Sequence, residues 1–117
     1  MAGEGFAVEF YVRDVRQGAS GGSYVVSYRA EVEAAPGDGP AVVEVVSTIP
    51  EDADPVLLDH TIECIRRGAE SVLRPLGLGA RIRLYRLAIH DVDCNPRKYE
   101  SATAEALTSA LAAESSA

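Results

Sequence analysis

The chain has 117 residues, of which 47% are hydrophobic and 25% are charged. This length corresponds to one domain, and this composition excludes wholesale disorder. No apolar run approaches the length of a membrane span, and the first residues lack the features of a secretion signal. We therefore expect a cytoplasmic protein whose two cysteines, Cys64 and Cys94, are free thiols.

The charge of the chain is acidic and unevenly placed. The formal net charge of −7 argues against general affinity for nucleic acid, because phosphates repel an acidic surface. Residues 1–60 contain 11 acidic and three basic side chains, whereas residues 61–117 contain seven acidic and eight basic ones. Only the second half of the chain is therefore expected to approach a polyanion.

Alternation of polar and apolar residues predicts three strands in the first half of the chain. Residues 6–12 and 23–34 alternate with a period of two, and residues 41–49 are rich in β-branched side chains. A glycine-rich loop at 17–23 and a proline- and glycine-containing turn at 35–40 separate these segments. Since the connections are short, we expect the three strands to form an antiparallel meander.

Two helices and a fourth strand are predicted in the second half. Asp54 followed by Pro55 is an N-cap with proline at the first helical position, and Asn95 followed by Pro96 repeats this signature. Apolar residues at spacings of three and four follow both signatures, and the last five residues are expected to fray. Between the helices, residues 81–89 alternate like a strand.

The order β-β-β-α-β-α predicts an α+β fold, a two-layer α/β sandwich whose four-stranded sheet has both helices on one face. The predicted domain occupies the whole chain, with an ordered core from about residue 6 to residue 111. Apolar residues on the uncovered sheet face would need a partner, so we expect binding of a protein or self-association there. The candidates for this exposed set are Tyr11, Val25, Val43 and Val45.

The segment Ile89-His90-Asp91-Val92-Asp93-Cys94 ends the fourth predicted strand and leads into the second helix. It resembles a loop in the fourth domain of bacterial elongation factor G and its ribosome-protection relatives, where a strand ends in His-(Asp/Glu)-Val-Asp-Ser-Ser before a helix. His90 to Asp93 match this motif position by position, while Cys94 and Asn95 replace the serines. Further similar segments extend the match to nearly the whole chain: Ile49-Pro50-Glu51, Arg67-Gly68 and Leu76-Gly77-Leu78-Gly79.

The resemblance implies a fold of the ribosomal protein S five domain-two type and a binding function without catalysis. It implies that the glycine-rich loop and the His90 loop meet as a tip, which in elongation factor G enters the decoding centre and contacts RNA. Ribosome or RNA is then the implied partner, and no cofactor, metal or GTP is implied. The implied tip residues are Gly18, Ser20, Gly21, Gly22, Ser23, His90, Asp91, Asp93, Arg97 and Lys98.

Two alternatives remain open at this point. Residues 18–23 contain no arginine, glutamine or aromatic side chain, the types that contact phosphates and bases, so a protein-interaction or regulatory domain that has lost RNA binding is one alternative. A small enzyme is less favoured, because the sequence has no G-x-x-x-x-G-K-[ST] phosphate loop and no carboxylate cluster. The set His90, Asp91, Asp93 and Cys94 is too sparse in Cys and His for a typical zinc site.

Arginines predict one basic cluster, made from the first helix and the fourth strand: Arg66, Arg67, Arg74, Arg81, Arg83 and Arg86. We interpret it as a solvated surface that forms exposed pairs with Glu63 and Glu70. The alternative is that Arg81, Arg83, Arg97 and Lys98 contact RNA near the tip.

Overall fold

The computed structural model describes residues 7–16, 24–35, 41–89 and 96–116. These residues form, in chain order, β1 (Ala7–Arg16), β2 (Tyr24–Ala35), β3 (Val42–Val45), β4 (Thr48–Ile49), α1 (Pro55–Leu73), β5 (Gly79–Tyr85), β6 (Leu87–Ala88) and α2 (Pro96–Ser116). A short 3-10 turn, Arg74–Leu76, follows α1. Because β4 and β6 continue β3 and β5, the predicted β-β-β-α-β-α order is confirmed.

The main sheet has the strand order β1-β2-β5-β3. β2 pairs antiparallel with β1 and β5, whereas β3 pairs in parallel with β5. The predicted antiparallel meander is wrong, because β5 lies between β2 and β3 in the sheet. The reason is the α1 connection: a helix that crosses between two strands lets them run parallel, which a tight turn cannot do.

Both helices cover one face of this sheet and create the core, so the two-layer α/β sandwich is confirmed. The core side chains of the strands alternate along each strand, and α1 and α2 add one stripe each. Members of this core that are less than 2% exposed include Val26, Val32, Ile65, Leu73, Ile82, Leu84, Leu87, Ile89, Tyr99 and Leu107. We call this side the helix face and the opposite side the open face.

The third strand is oriented differently from the prediction. Val43 lies opposite Ile82 and Val45 opposite Leu84, so both valines point to the helix face and pack against the core. The exposed apolar residues of this edge are instead Val42, at 58%, and Val46, at 50%. The assignment of Val43 and Val45 to the exposed set is therefore wrong, because α1 and α2 cover the face that they occupy.

Tyr11 and Val25 do lie on the open face, as predicted. Tyr11 is 76% exposed. Val25 is only half-buried and lies opposite Val15 of β1. Along β1, the charged Arg13 lies between Tyr11 and the 42% exposed Val15.

Two neighbouring strands bend at the same level. Val46 and Ser47 separate β3 from β4, and Arg86, which has a positive φ of 55°, separates β5 from β6. Ser47 bridges the interruption, because its Oγ accepts from the Arg86 N–H at 2.9 Å and its carbonyl accepts from the Leu87 N–H at 3.1 Å. Beyond the bend the parallel pairing resumes between β4 and β6.

The helix boundaries agree closely with the sequence. Asp54 caps α1: its Oδ1 accepts from the N–H groups of Val56 at 2.9 Å and Leu57 at 3.3 Å. The 3-10 turn after α1 ends at Gly77, whose φ of 69° is in the left-handed region. α2 begins at Pro96 as predicted but remains helical to Ser116, past the point where we expected fraying. Its alanine-rich composition favours this continuation.

Gly68 allows the two helices to approach closely. A Cβ added at Gly68 would collide with the backbone carbonyl of Glu100 and touch the Thr103 side chain. Gly68 is buried at this crossing. A glycine in the middle of α1 thus has a packing reason, since any side chain would push α2 away from α1.

Neither helix of the described residues is long and apolar enough to cross a membrane.

Candidate functional site

Most of the implied tip residues lie outside the described residues. These are Gly18, Ser20, Gly21, Gly22, Ser23, His90, Asp91 and Asp93, together with Cys94. Arg97 and Lys98 are described: both are exposed in the first turn of α2. The contact between the glycine-rich loop and the His90 loop therefore stays a prediction.

A single tyrosine links the described residues nearest to the two loops. The Tyr99 hydroxyl donates to the carbonyl oxygen of Ala88, the last residue of β6. The hydroxyl oxygen of Tyr99 also accepts, at 3.5 Å, from the backbone N–H of Ser27, near the beginning of β2. The chain entering segment 90–95 and the chain leaving segment 17–23 are thus held together by one side chain from α2.

Buried aromatic rings reinforce this end of the sheet. The Tyr28 and Tyr99 rings stack at 5.9 Å between centroids, and Phe10 meets Tyr28 edge-on at 6.3 Å. The Tyr28 hydroxyl shares a hydrogen bond with Thr103, and burial raises the pKa of Tyr28 well above its usual range. Tyr28 and Tyr99 are both buried in the core, so neither ring is available for stacking on a base.

The arginines of α1 are engaged with its glutamates. Arg66 pairs with Glu63 and lies 3.6 Å from Glu70; Arg67 lies 3.5 Å from Glu63. Arg74 is 3.6 Å from Glu70. The hydrogen bond from Arg66 is the main reason that the pKa of Glu63 is lowered. The interpretation of a solvated, internally paired surface is confirmed for these three arginines.

The predicted single basic cluster is wrong. Arg81 and Arg83 point to the open face, whereas Arg66, Arg67 and Arg74 lie on the opposite layer of the molecule. Arg81 is also near the beginning of β5, at the end of the sheet away from Ala88. The alternative that Arg81 and Arg83 join Arg97 and Lys98 at the tip is therefore wrong as well, because the sheet separates the two pairs.

On the open face, cross-strand neighbours form a charged ladder. The register places Arg29 between Tyr11 of β1 and Tyr85 of β5. The Arg29 guanidinium donates to the Glu9 carboxylate, lies 3.4 Å from Glu31 Oε2, and covers the Tyr85 ring at 4.2 Å from its centroid. The Tyr85 hydroxyl donates to Glu31 Oε1 at 2.7 Å. Arg29 therefore organises the centre of the face.

The charges of the ladder shift the pKa values of its members. The hydrogen bond to Glu31 raises the pKa of the Tyr85 phenol, and desolvation acts in the same direction. Desolvation lowers the pKa of the Arg29 guanidinium, but the carboxylates of Glu9 and Glu31 more than offset this, so its pKa is raised. The charged forms of the arginine and the carboxylates therefore stabilise one another.

The described strand residues of the open face carry equal numbers of positive and negative charges, whereas the whole chain is acidic. Strands β1, β2, β3 and β5 place four carboxylates and four guanidinium groups on the open face: Glu9, Glu31, Glu33, Glu44, Arg13, Arg29, Arg81 and Arg83. A shallow groove of about 280 Å³ lies at one end, between these side chains of β1, β2 and β5. Such a surface suits a partner of mixed charge and disfavours a polyanion.

Cys64 is the cysteine that lies in the described ranges. Cys64 is buried, and this burial raises the pKa of its thiol, which keeps it protonated. No three His, Cys, Asp or Glu side chains of the described ranges come together as a group that could hold a metal. The combinations of His90 with Cys94 or with the neighbouring aspartates lie outside those ranges.

Comparisons with known proteins support the fold of this chain. No family model matches the chain, and no curated protein matches it. Among solved structures it is similar to a crystal structure of a protein from Thermus thermophilus, with a TM-score of 0.63 and 16% sequence identity. The similarity covers 92% of this chain but 16% of the Thermus chain, so this chain spans a small part of that protein's length. The fold is therefore one that also occurs inside a longer chain.

Proposed function

We propose that this chain is a non-enzymatic, cytoplasmic binding module of the elongation factor G domain-four type, with the ribosome as its partner. The observation that carries the proposal is the Tyr99 bridge, which joins Ala88 to Ser27 next to the two segments that form the tip in that family. The His90-Asp91-Val92-Asp93 motif begins two residues after Ala88. Arg97 and Lys98, exposed on the first turn of α2, supply positive charge beside this end.

Co-sedimentation with purified bacterial ribosomes at physiological salt tests the proposal. We expect the wild-type chain to pellet with ribosomes and the double variant His90→Ala/Asp93→Ala to remain in the supernatant. Arg81→Ala is the matched control, because Arg81 is exposed at the other end of the sheet and should not affect binding. A wild-type chain that stays in the supernatant would contradict the proposal.

A second candidate function is protein binding through the open face. The observation that favours it is the charge-balanced ladder around Arg29, next to the 76% exposed Tyr11. Aromatic and arginine side chains are enriched at protein interfaces relative to the rest of the protein surface. The same sedimentation experiment separates the two candidates. If Tyr11→Ala abolishes binding while His90→Ala/Asp93→Ala retains it, the open face is the contact surface.

A further inference from the structure

β1 is a long sheet edge of the described structure. It pairs with β2 along all ten residues from Ala7 to Arg16, and no strand of the described ranges pairs with its other side. Every second residue of an edge strand presents its backbone N–H and C=O groups outward, ready to pair with another strand. Prolines and bulges commonly block such pairing, and β1 contains neither. A long, regular edge of this kind is a template for an added strand.

The open-face residues of β1 are self-complementary in charge. Tyr11 lies at the centre, Glu9 two residues before it and Arg13 two residues after it, and all three side chains are exposed. If a second copy pairs antiparallel with Tyr11 opposite Tyr11, then Glu9 of each copy lies opposite Arg13 of the other. Opposite charges directly across an antiparallel pair stabilise it. On the helix face, the same register places Phe10 opposite Val12.

Other registers lose this complementarity. A shift of two residues in either direction removes both ion pairs, because Glu9 then faces Tyr11 or Val15. An in-register parallel pair places Glu9 against Glu9 and Arg13 against Arg13, which is repulsive. The groups are also available: the Glu9 side chain remains 51% exposed despite its contact with Arg29, and Arg13 forms no ion pair with another described residue.

We propose that two copies of this chain associate through β1 and join their four-stranded sheets into one continuous sheet, with the two-fold axis at Tyr11. An open groove of about 360 Å³ borders the same strand on its helix side. The α2 residues that line this groove are mostly short: Ala102, Glu105, Ala106 and Ser109. This groove leaves space beside β1 and α2 of one copy for the β1 and α2 of the second copy. The opposite edge, β3, is too short for this role, with four residues before the interruption at Val46.

A charge-swap series measured by sedimentation equilibrium tests the proposal. We expect a concentration-dependent dimer for the wild type in the micromolar range. Arg13→Glu should weaken dimerisation by about tenfold or more, because two symmetry-related attractions become repulsions. The double variant Glu9→Arg/Arg13→Glu restores opposite charges in the same register and should restore most of the dimer. Circular dichroism confirms that each variant folds. A wild type that is monomeric at 100 micromolar (about a hundred times a micromolar Kd) would overturn the proposal.

Cross-linking at the two-fold axis tests the register independently. Tyr11→Cys, made together with Cys94→Ser, brings two identical thiols close together across the axis, since directly opposite Cβ atoms are about 4.5–5.5 Å apart. We expect mild oxidation to produce a covalent dimer of this variant. Val42→Cys in the same background is the control, because Val42 is also exposed but lies on the other edge. Equal cross-linking of both variants, or none of Tyr11→Cys, would overturn the assignment of β1 as the interface.

Discussion

The two faces of the sheet are built by the same strands but have different energetics. On the helix face, Ile82 and Leu84 are 1% and 0% exposed and belong to the hydrophobic core that also contains residues of both helices. On the open face, Arg83 is exposed and lies 3.6 Å from Glu44 in a solvated ion pair. Burial of apolar area contributes far more to stability than an exposed ion pair does. The helix face therefore maintains the fold, whereas the open face can change its residues and its partners at little cost.

Neighbouring residues of β3 provide the sharpest test of this difference. Val43→Asp places a carboxylate against the core and should reduce the free energy of unfolding by about 3 kcal/mol. Val42→Asp, one residue away on the open face, should change it by less than about 0.5 kcal/mol. Urea unfolding followed by circular dichroism measures both. Similar losses for the two variants would show that the open face is covered by something in the native protein.

The contact between the helices gives the next largest effect. Gly68→Ala should reduce the free energy of unfolding by about 2 kcal/mol, because the added methyl group collides with the Glu100 carbonyl. Arg67→Ala is the control: Arg67 is the neighbouring residue but is exposed, so its replacement should cost less than about 0.5 kcal/mol. Thermal unfolding measures the difference. A stabilised Gly68→Ala variant would contradict the close approach of α1 and α2.

Two variants that each lose one tyrosine hydroxyl compare a hydrogen bond on the helix face with one on the open face. Tyr99→Phe leaves the Ala88 carbonyl without its donor in the core, and we expect a loss of about 1–2 kcal/mol in unfolding free energy. Tyr85→Phe removes the hydroxyl that donates to Glu31 at the surface, where water replaces it, and should cost less than about 0.5 kcal/mol. Urea unfolding of both variants at neutral pH provides the comparison. The prediction fails if Tyr85→Phe is the more damaging change.

The smallest effect concerns stability at alkaline pH. Tyr28 and Tyr85 both have a raised pKa in the folded state, by burial in the first case and mainly by the bond to Glu31 in the second. The unfolded chain therefore releases these protons at lower pH, so stability is fully present below about pH 10 and falls as the pH rises further. Tyr28→Phe should flatten this decline more than Tyr85→Phe. Urea unfolding between about pH 9 and pH 11 checks it; an unchanged slope in Tyr28→Phe would be the contrary result.

Much of the candidate site could be predicted only in outline. The sequence left the tyrosines of β2 and α2 open between core and partner surface, and Tyr28 and Tyr99 are buried in the core. It did not indicate that the Tyr99 hydroxyl joins Ala88 to Ser27, because these residues are 11 and 72 positions away from Tyr99 in the chain. The ladder around Arg29 was missed for the same reason. The local signal for the ladder was the spacing of Arg29 and Glu31, which are two positions apart in the second strand and therefore share a face.

Local patterns by themselves determined where the elements lie. Asp54-Pro55 begins α1, Gly77 ends the turn that follows it, and alternation delimits the strands, since caps, turns and side-chain periodicity act over a few residues. Only the tertiary structure decided that β5 pairs between β2 and β3, that Val43 is inside and Val42 outside, and that Gly68 faces Glu100. Alternation marks two faces of a strand but not which of them a helix will cover. That choice depends on contacts between residues far apart in the chain, where the burial of both helix stripes on one side outweighs any local preference.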